Sequence, residues 1–238
     1  MSEARDSERR ARLLQLGAGA VFLAVVAVAV LIVLSAGGSG GDAGDLEGAG
    51  AVDRHLAGIP QQGLTLGEPD AKVELIEYGD LQCPVCKGFA EEVLAPVIDS
   101  QVRAGEVKVT YRNFAFIGSQ SPAAAAAALA AGSQGMGWQF LELFYRNQGI
   151  EGSGYADDEF LAAIARAAGV EDIGRWERER ADPKLTARVK AETDGAERLG
   201  LTGTPSLLIR GARTDGLELL ATPGSPEDLE AEIEAAAG

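Results

Sequence analysis

The sequence predicts an α/β domain whose strands are interrupted by a long helical stretch, preceded by one N-terminal transmembrane helix. Three observations carry this reading. Apolar alternation, then a helical period, then alternation again run from Lys72 to Phe114. Five helix-patterned segments follow before the strand pattern returns at Ser206. No charged residue occurs from Leu13 to Gly41. Strand, helix and strand in so short a stretch make a βαβ unit with a right-handed crossover.

From the N-terminus, Leu16 to Ala36 is dominated by Val, Ala and Leu and matches the roughly 20 apolar residues a helix needs to span a bilayer. Arg5, Arg9, Arg10 and Arg12 precede it, and Asp42, Asp45 and Glu47 follow, which places residues 1–12 in the cytoplasm and the rest outside. Leu34-Ser35-Ala36 is a poor small-x-small cleavage site, so residues 13–36 are expected to stay as a signal anchor. Positive-inside flanking explains Arg9-Arg10 without a twin-arginine signal. The expected location is the cell membrane, single-pass, with the remaining chain extracytoplasmic. Residues 37–63 are Gly- and Asp-rich without apolar period and predict a flexible tether, with His55 an exposed linker histidine. A domain over 64–238 is long enough to bury a core of its own. The net charge of −15 argues against nucleic acid or an anionic membrane surface as partner.

Within the domain, Lys72 to Tyr78 alternates as a strand. Cys83 to about Ser100 follows as a helix, with Cys86, Phe89, Ala90, Val93, Leu94, Val97 and Ile98 on one face and Pro96 expected to kink it or end it early. Val107 to Phe114 is the second strand. Helices are predicted over 122–131, 136–147, 157–168, 172–180 and 184–199, with Trp138, Phe144, Phe160 and Trp176 as core residues. Ser206–Arg210 and Leu217–Leu220 return to strands, and Pro226–Ala237 closes the chain as a helix with Ser225 as N-cap.

The chemistry rests on the only two cysteines, in Cys83-Pro84-Val85-Cys86 at a strand-to-helix junction. A helix N-terminus offers free N–H groups and a positive partial charge, both of which favour a thiolate, and Pro84 fits the first helical position. A zinc site would need four Cys/His ligands, and only His55 could join the pair. Haem attachment needs His where Lys87 stands. A structural disulfide would close too small a loop to constrain the unfolded chain much. The spacing therefore points to a redox-active dithiol, with no metal or cofactor expected.

Val73–Tyr78, the Cys83–Cys86 motif and Gly203-Thr204-Pro205 ahead of a strand resemble the thioredoxin superfamily, and more narrowly its DsbA-like branch with membrane-anchored bacterial members. The resemblance implies a thioredoxin-like fold with a helical insertion at about 118–182. It implies that Cys83 is the nucleophile, Cys86 the resolving thiol, Pro205 a cis-proline, and Thr204 a residue whose backbone pairs with substrate. Glu77 matches a buried acid that relays a proton to the resolving cysteine; its other reading is a strand-end carboxylate paired with Lys108 or solvent. Lys87 is expected to be solvated. Val85 stands where DsbA has His, which implies a potential between the values of about −120 mV for DsbA and −270 mV for thioredoxin. The implied function is a monomeric oxidase of exported protein or peptide thiols, reoxidised by a DsbB-like or VKOR-like membrane partner. The alternatives are a reductase or isomerase of the same fold, or a non-enzymatic peptide-binding module.

Overall fold

A computed structural model describes residues 46–238. The cytoplasmic segment 1–12 and the anchor expected over 13–36 lie outside the described residues. Among the described residues no helix is long and apolar enough to cross a membrane.

In chain order the elements are α1 (Ala49–Leu56), β1 (Gln61–Gln62), β2 (Thr65–Leu66), β3 (Val73–Gly79), a long helix α2 over 84–102, β4 (Val107–Asn113), α3 (Ser121–Gly132), α4 (Gly137–Arg146), α5 (Asp158–Ala167), α6 (Ile173–Arg180), α7 (Pro183–Arg198), β5 (Ser206–Arg210), β6 (Glu218–Leu220) and α8 (Pro226–Ala237). One sheet takes the order β1-β2-β4-β3-β5-β6. β3 and β4 are parallel, with Glu77 opposite Tyr111, and β3 pairs antiparallel with β5. Period-2 alternation then divides the side chains. Val73, Leu75, Val107, Val109, Leu207 and Ile209 point into the main core with α2, α8 and the helical insertion. Ile76 and Leu208 point to the opposite face, where Ala196 of α7 and Leu201 cover them.

The alanine run explains how the insertion packs. Ala124 to Ala131 are all buried, so α3 is enclosed on every side, as an all-round apolar helix must be. Its small side chains let α4, α5, α6 and α7 surround it. The Trp176 indole donates to the Ala127 carbonyl at 2.9 Å, and the Phe140 ring lies tilted between Trp176 and Phe144.

Two expectations are corrected. Pro96 does not end the helix early. α2 continues to Val102 through two π-helical turns, Phe89–Leu94 and Ile98–Val102, and the Ala95 N–H reaches back to the Ala90 carbonyl. The widened turn gives the proline ring room where a regular turn would force it against a carbonyl. The tether expected over 37–63 is also corrected from Ala49 onward. α1 docks on α4 with Val52 and Leu56 fully buried, and β1 and β2 extend the sheet. His55 is accordingly not an exposed linker residue: its Nδ1 lies 2.8 Å from a Glu142 oxygen and its Nε2 3.2 Å from the Ala95 carbonyl.

Candidate active site

The dithiol sits where β3 hands over to α2. Cys83 is the N-cap of α2 with extended backbone, and Pro84 occupies the first turn. The Cys83 Sγ accepts from the Cys86 backbone N–H at 3.3 Å. This is the anion-favouring end of a helix of five turns. Both thiols are free in this structure. Cys86, one turn on, faces the core and has no exposed surface.

The loop before β5 meets the cysteines from the other side. The Thr204–Pro205 peptide is cis, and the Cys83 thiol donates to the Thr204 carbonyl at 3.4 Å. Cys83, Cys86, Thr204 and Pro205 are therefore brought to one place by two separate segments of chain. Glu77 is the fifth member. It lies on the core side of β3, 1% exposed, and its Oε1 has no hydrogen-bond partner. Pairing with Lys108 does not occur: that ammonium donates to the Pro69 carbonyl at 2.8 Å. Lys87 is directed to the Arg146 carbonyl, 3.5 Å away, rather than to either sulfur.

Three acids in one buried site compete for a single negative charge. Cys83 is lowered to about 6, first by the hydrogen bond from Cys86. Burial opposes this, and the Thr204 hydroxyl and the backbone N–H groups of Cys86 and Val85 add to it. Cys86 is pushed far up by burial, by its hydrogen bond to Cys83 and by the charges of Glu77 and Cys83. Burial pushes Glu77 up to about 8, and the Cys83 charge adds to this. At neutral pH the charge rests on Cys83 while Cys86 and Glu77 hold protons. That is a nucleophile at a helix N-terminus, itself 4% exposed, beside a protonated partner and an acid able to exchange a proton with it.

Several residues that hold the site together escaped the sequence reading. Asp80 is buried and accepts from the backbone N–H groups of Gln82, Phe116 and Ile117, each at 2.9 Å, which ties the cysteine loop to the segment after β4. Gln148 donates to the carbonyls of Leu81 at 2.7 Å and Cys83 at 3.1 Å. Tyr111 and Tyr145 share a hydrogen bond of 3.1 Å below the dithiol, and burial holds both phenols protonated. Gly79 leaves the space the Tyr111 ring occupies: a Cβ there would lie 2.6 Å from its Cε2.

Residues 60–235 match a family model described as thioredoxin. The chain belongs to the thioredoxin family. It is 28% identical over 150 residues to the probable disulfide bond formation protein D of Bacillus anthracis, covering 62% of this chain and 69% of that one. It is 31% identical over 163 residues to the Na(+)/H(+) antiporter NhaA 1 of Mycolicibacterium gilvum, covering 66% of this chain and only 25% of the antiporter. The crystal structure of oxidised BdbD from Bacillus subtilis superposes with a TM-score of 0.64 at 20% identity, over 72% of this chain and 91% of that one. Within the thioredoxin family the chain is DsbA-like, a thiol–disulfide oxidoreductase with a helical insertion.

Proposed function

We propose that this chain is an exported, membrane-tethered member of that class which donates its Cys83–Cys86 disulfide to newly translocated proteins. The observation that supports the direction is the Cys83 Sγ at the helix N-cap, accepting from the Cys86 N–H at 3.3 Å; the thiol is lowered to about 6, first by the hydrogen bond from the Cys86 side chain. Whatever stabilises the thiolate stabilises the reduced form, and so makes the disulfide a better electron acceptor. A substrate thiolate attacks the Cys83 Sγ and forms a mixed disulfide. The Cys86 sulfur leaves with the electron pair of the broken bond and takes a proton from Glu77. A second substrate thiolate then attacks the substrate sulfur of that mixed disulfide, forming the substrate disulfide and releasing Cys83 as a thiolate. Two electrons now rest on the dithiol, and a DsbB-like or VKOR-like membrane partner removes them.

The backbone of Thr204 offers an extended substrate segment a place to pair beside Cys83. Val85, Phe116 and Ile150 stand 63%, 48% and 81% exposed on segments that flank the cysteine loop, which suits the apolar stretches of unfolded chains. Tethering is supported by the uncharged run from Leu13 to Gly41, and by the occurrence of a similar segment within a Na(+)/H(+) antiporter chain. The test is the thiol state of the protein taken directly from its native membrane. A donor is expected to be mostly disulfide; a mostly dithiol population would reverse the direction and favour the reductase reading.

A further inference from the structure

Each turnover requires Glu77 to lose and regain a proton, yet its carboxyl is 1% exposed and walled off beneath the cysteines. Between Glu77 and the far side of the domain lies a small cavity, with about 20 Å³ in which the centre of a water molecule can move. Glu77, Tyr111, Trp138, Tyr145 and Glu142 line it. Roughly 10–15 Å³ on this measure suffices for one water if polar partners are present. Two are present and unused: Glu77 Oε1 and Trp138 Nε1 are buried and make no hydrogen bond. A water accepting from the indole N–H has two protons to give, and carboxylates on both sides to receive them.

The outer carboxylate, Glu142, is itself partnered. His55 Nδ1 lies 2.8 and 3.0 Å from its two oxygens, and His55 also lines a surface groove with Glu91, Asp99 and Arg146. We propose that Glu142 and His55 form the solvent end of a proton relay that serves Glu77 through one water held on Trp138. The proposal rests on the oxidoreductase reading above. When the disulfide is opened, Cys86 takes the Glu77 proton and leaves a carboxylate. The water passes a proton to Glu77 and receives one from Glu142, which receives one from the His55 imidazolium, and His55 refills from solvent in the groove. Reoxidation runs the same path outward. No proton is created or lost, and His55 of α1 supplies the exit.

The surroundings suit the task. His55 is raised above its ordinary value by its hydrogen bond to Glu142, against burial, with the Ala95 carbonyl and Asp99 adding. Glu91 and Arg146 face it across the groove, and the Arg103 guanidinium bonds its backbone carbonyl. Facing Glu77 are Cys83, Cys86, Tyr111, Tyr145 and Glu142.

The experiment is rapid-quench alkylation of the full-length reduced protein mixed with a disulfide-bonded two-cysteine peptide, from pH 5 to 9, because Cys86 can pass its proton to Glu77 only once the relay has emptied that carboxyl. Glu142→Gln should slow exchange at pH 7 about tenfold, a part of the hundredfold or more a positioned proton-transfer group supplies. His55→Gln should remove the inflection that a histidine raised above its ordinary value gives to the rate profile. On a Glu77→Gln background, Glu142→Gln should slow exchange no further, because it acts only through Glu77. Trp138→Phe keeps an aromatic ring, removes the donor and should also slow exchange, which carries the test should Glu142→Gln unfold. Wild-type rates and pH profile in the single variants, or effects that multiply in the double variant, overturn the relay alone. A wild-type protein that does not exchange with the peptide in either direction overturns the oxidoreductase reading with it.

Discussion

Replacing Glu77 by Gln should stabilise the oxidised protein, and by an amount that grows with pH. The carboxyl is pushed from 4.5 to about 8, chiefly by burial. In the unfolded chain it ionises near 4.5; in the folded protein it holds its proton until about 8. Between those values the unfolded state releases a proton that the folded state keeps, so stability falls as pH rises. Below 4.5 both states are neutral and the effect vanishes. At about 1.36 kcal/mol for each tenfold change in proton affinity, the full loss is about 5 kcal/mol by pH 8. Relaxation and water entry lower such penalties to several kcal/mol, so a gain of about 3–5 kcal/mol is expected for Glu77→Gln at pH 8 and little at pH 4. The oxidised form carries no Cys83 charge and so shows the part of this shift that burial causes, which sets the gain toward the lower end of that range. In the reduced form Cys83, lowered from 9.0 to about 6, contributes with the opposite sign: its stabilisation grows from pH 6 to 9 and is lost as pH falls through 6. Urea unfolding of both oxidised proteins from pH 4 to 9 measures the difference. Parallel stability curves would refute the buried, unpaired carboxyl.

Removing Cys86 takes away the largest contribution to the low Cys83 value. Cys86→Ala should therefore titrate above 6 by thiolate absorbance, and should accumulate mixed disulfides with exported proteins because nothing resolves them; Cys83→Ala should accumulate almost none. Gly79→Ala drives a methyl to 2.6 Å from the Tyr111 ring, which should cost about 1–3 kcal/mol in a denaturant titration, the usual penalty for overpacking, and should disturb the near-ultraviolet dichroism of the Tyr111–Tyr145 pair.

The parts of the fold that were legible in the sequence are those with a long, uninterrupted period. β3, α2 and β4 each bury a full face in one core, so alternation and helical spacing mark them, and Pro84 marks the helix start beside the cysteines. α1 was not legible because only Val52 and Leu56 anchor it, too few to show a period. An isolated helix of that length is not stable in water, and this one forms by docking on α4. β1 and β2 are two residues each and owe their existence to β4 beside them. Within the site, Cys83 and Cys86 announce themselves by spacing, and Thr204 and Pro205 by the strand that follows. Tyr111 and Asp80 needed the register. Once Glu77 is opposite Tyr111 and Glu74 opposite Lys108, the lysine is on the wrong face to neutralise Glu77, and the phenol, not an ammonium, is its neighbour.

The different behaviour of the two thiols follows from that placement rather than from the motif. Cys83 and Cys86 are one helical turn apart, and each is surrounded by largely apolar core. Cys83 is met by the backbone N–H groups of Cys86 and Val85, because an N-cap side chain can turn back to the first turn of its own helix, whereas the single backbone contact of Cys86, from Asp80, is outweighed by burial. Cys86 lies inside that turn, where the amides are already committed, and it faces Glu77 instead. Charge on Cys83 raises Glu77, and charge on Glu77 raises Cys86, so the site accepts one negative charge readily and a second only at high cost. Breaking the disulfide brings two electrons and would leave two thiolates. The protein meets this by keeping one charge where the helix end stabilises it and supplying a proton to the other sulfur. A buried acid with no partner of its own is the group suited to that supply, since any fixed counter-charge would hold it ionised and take the proton away.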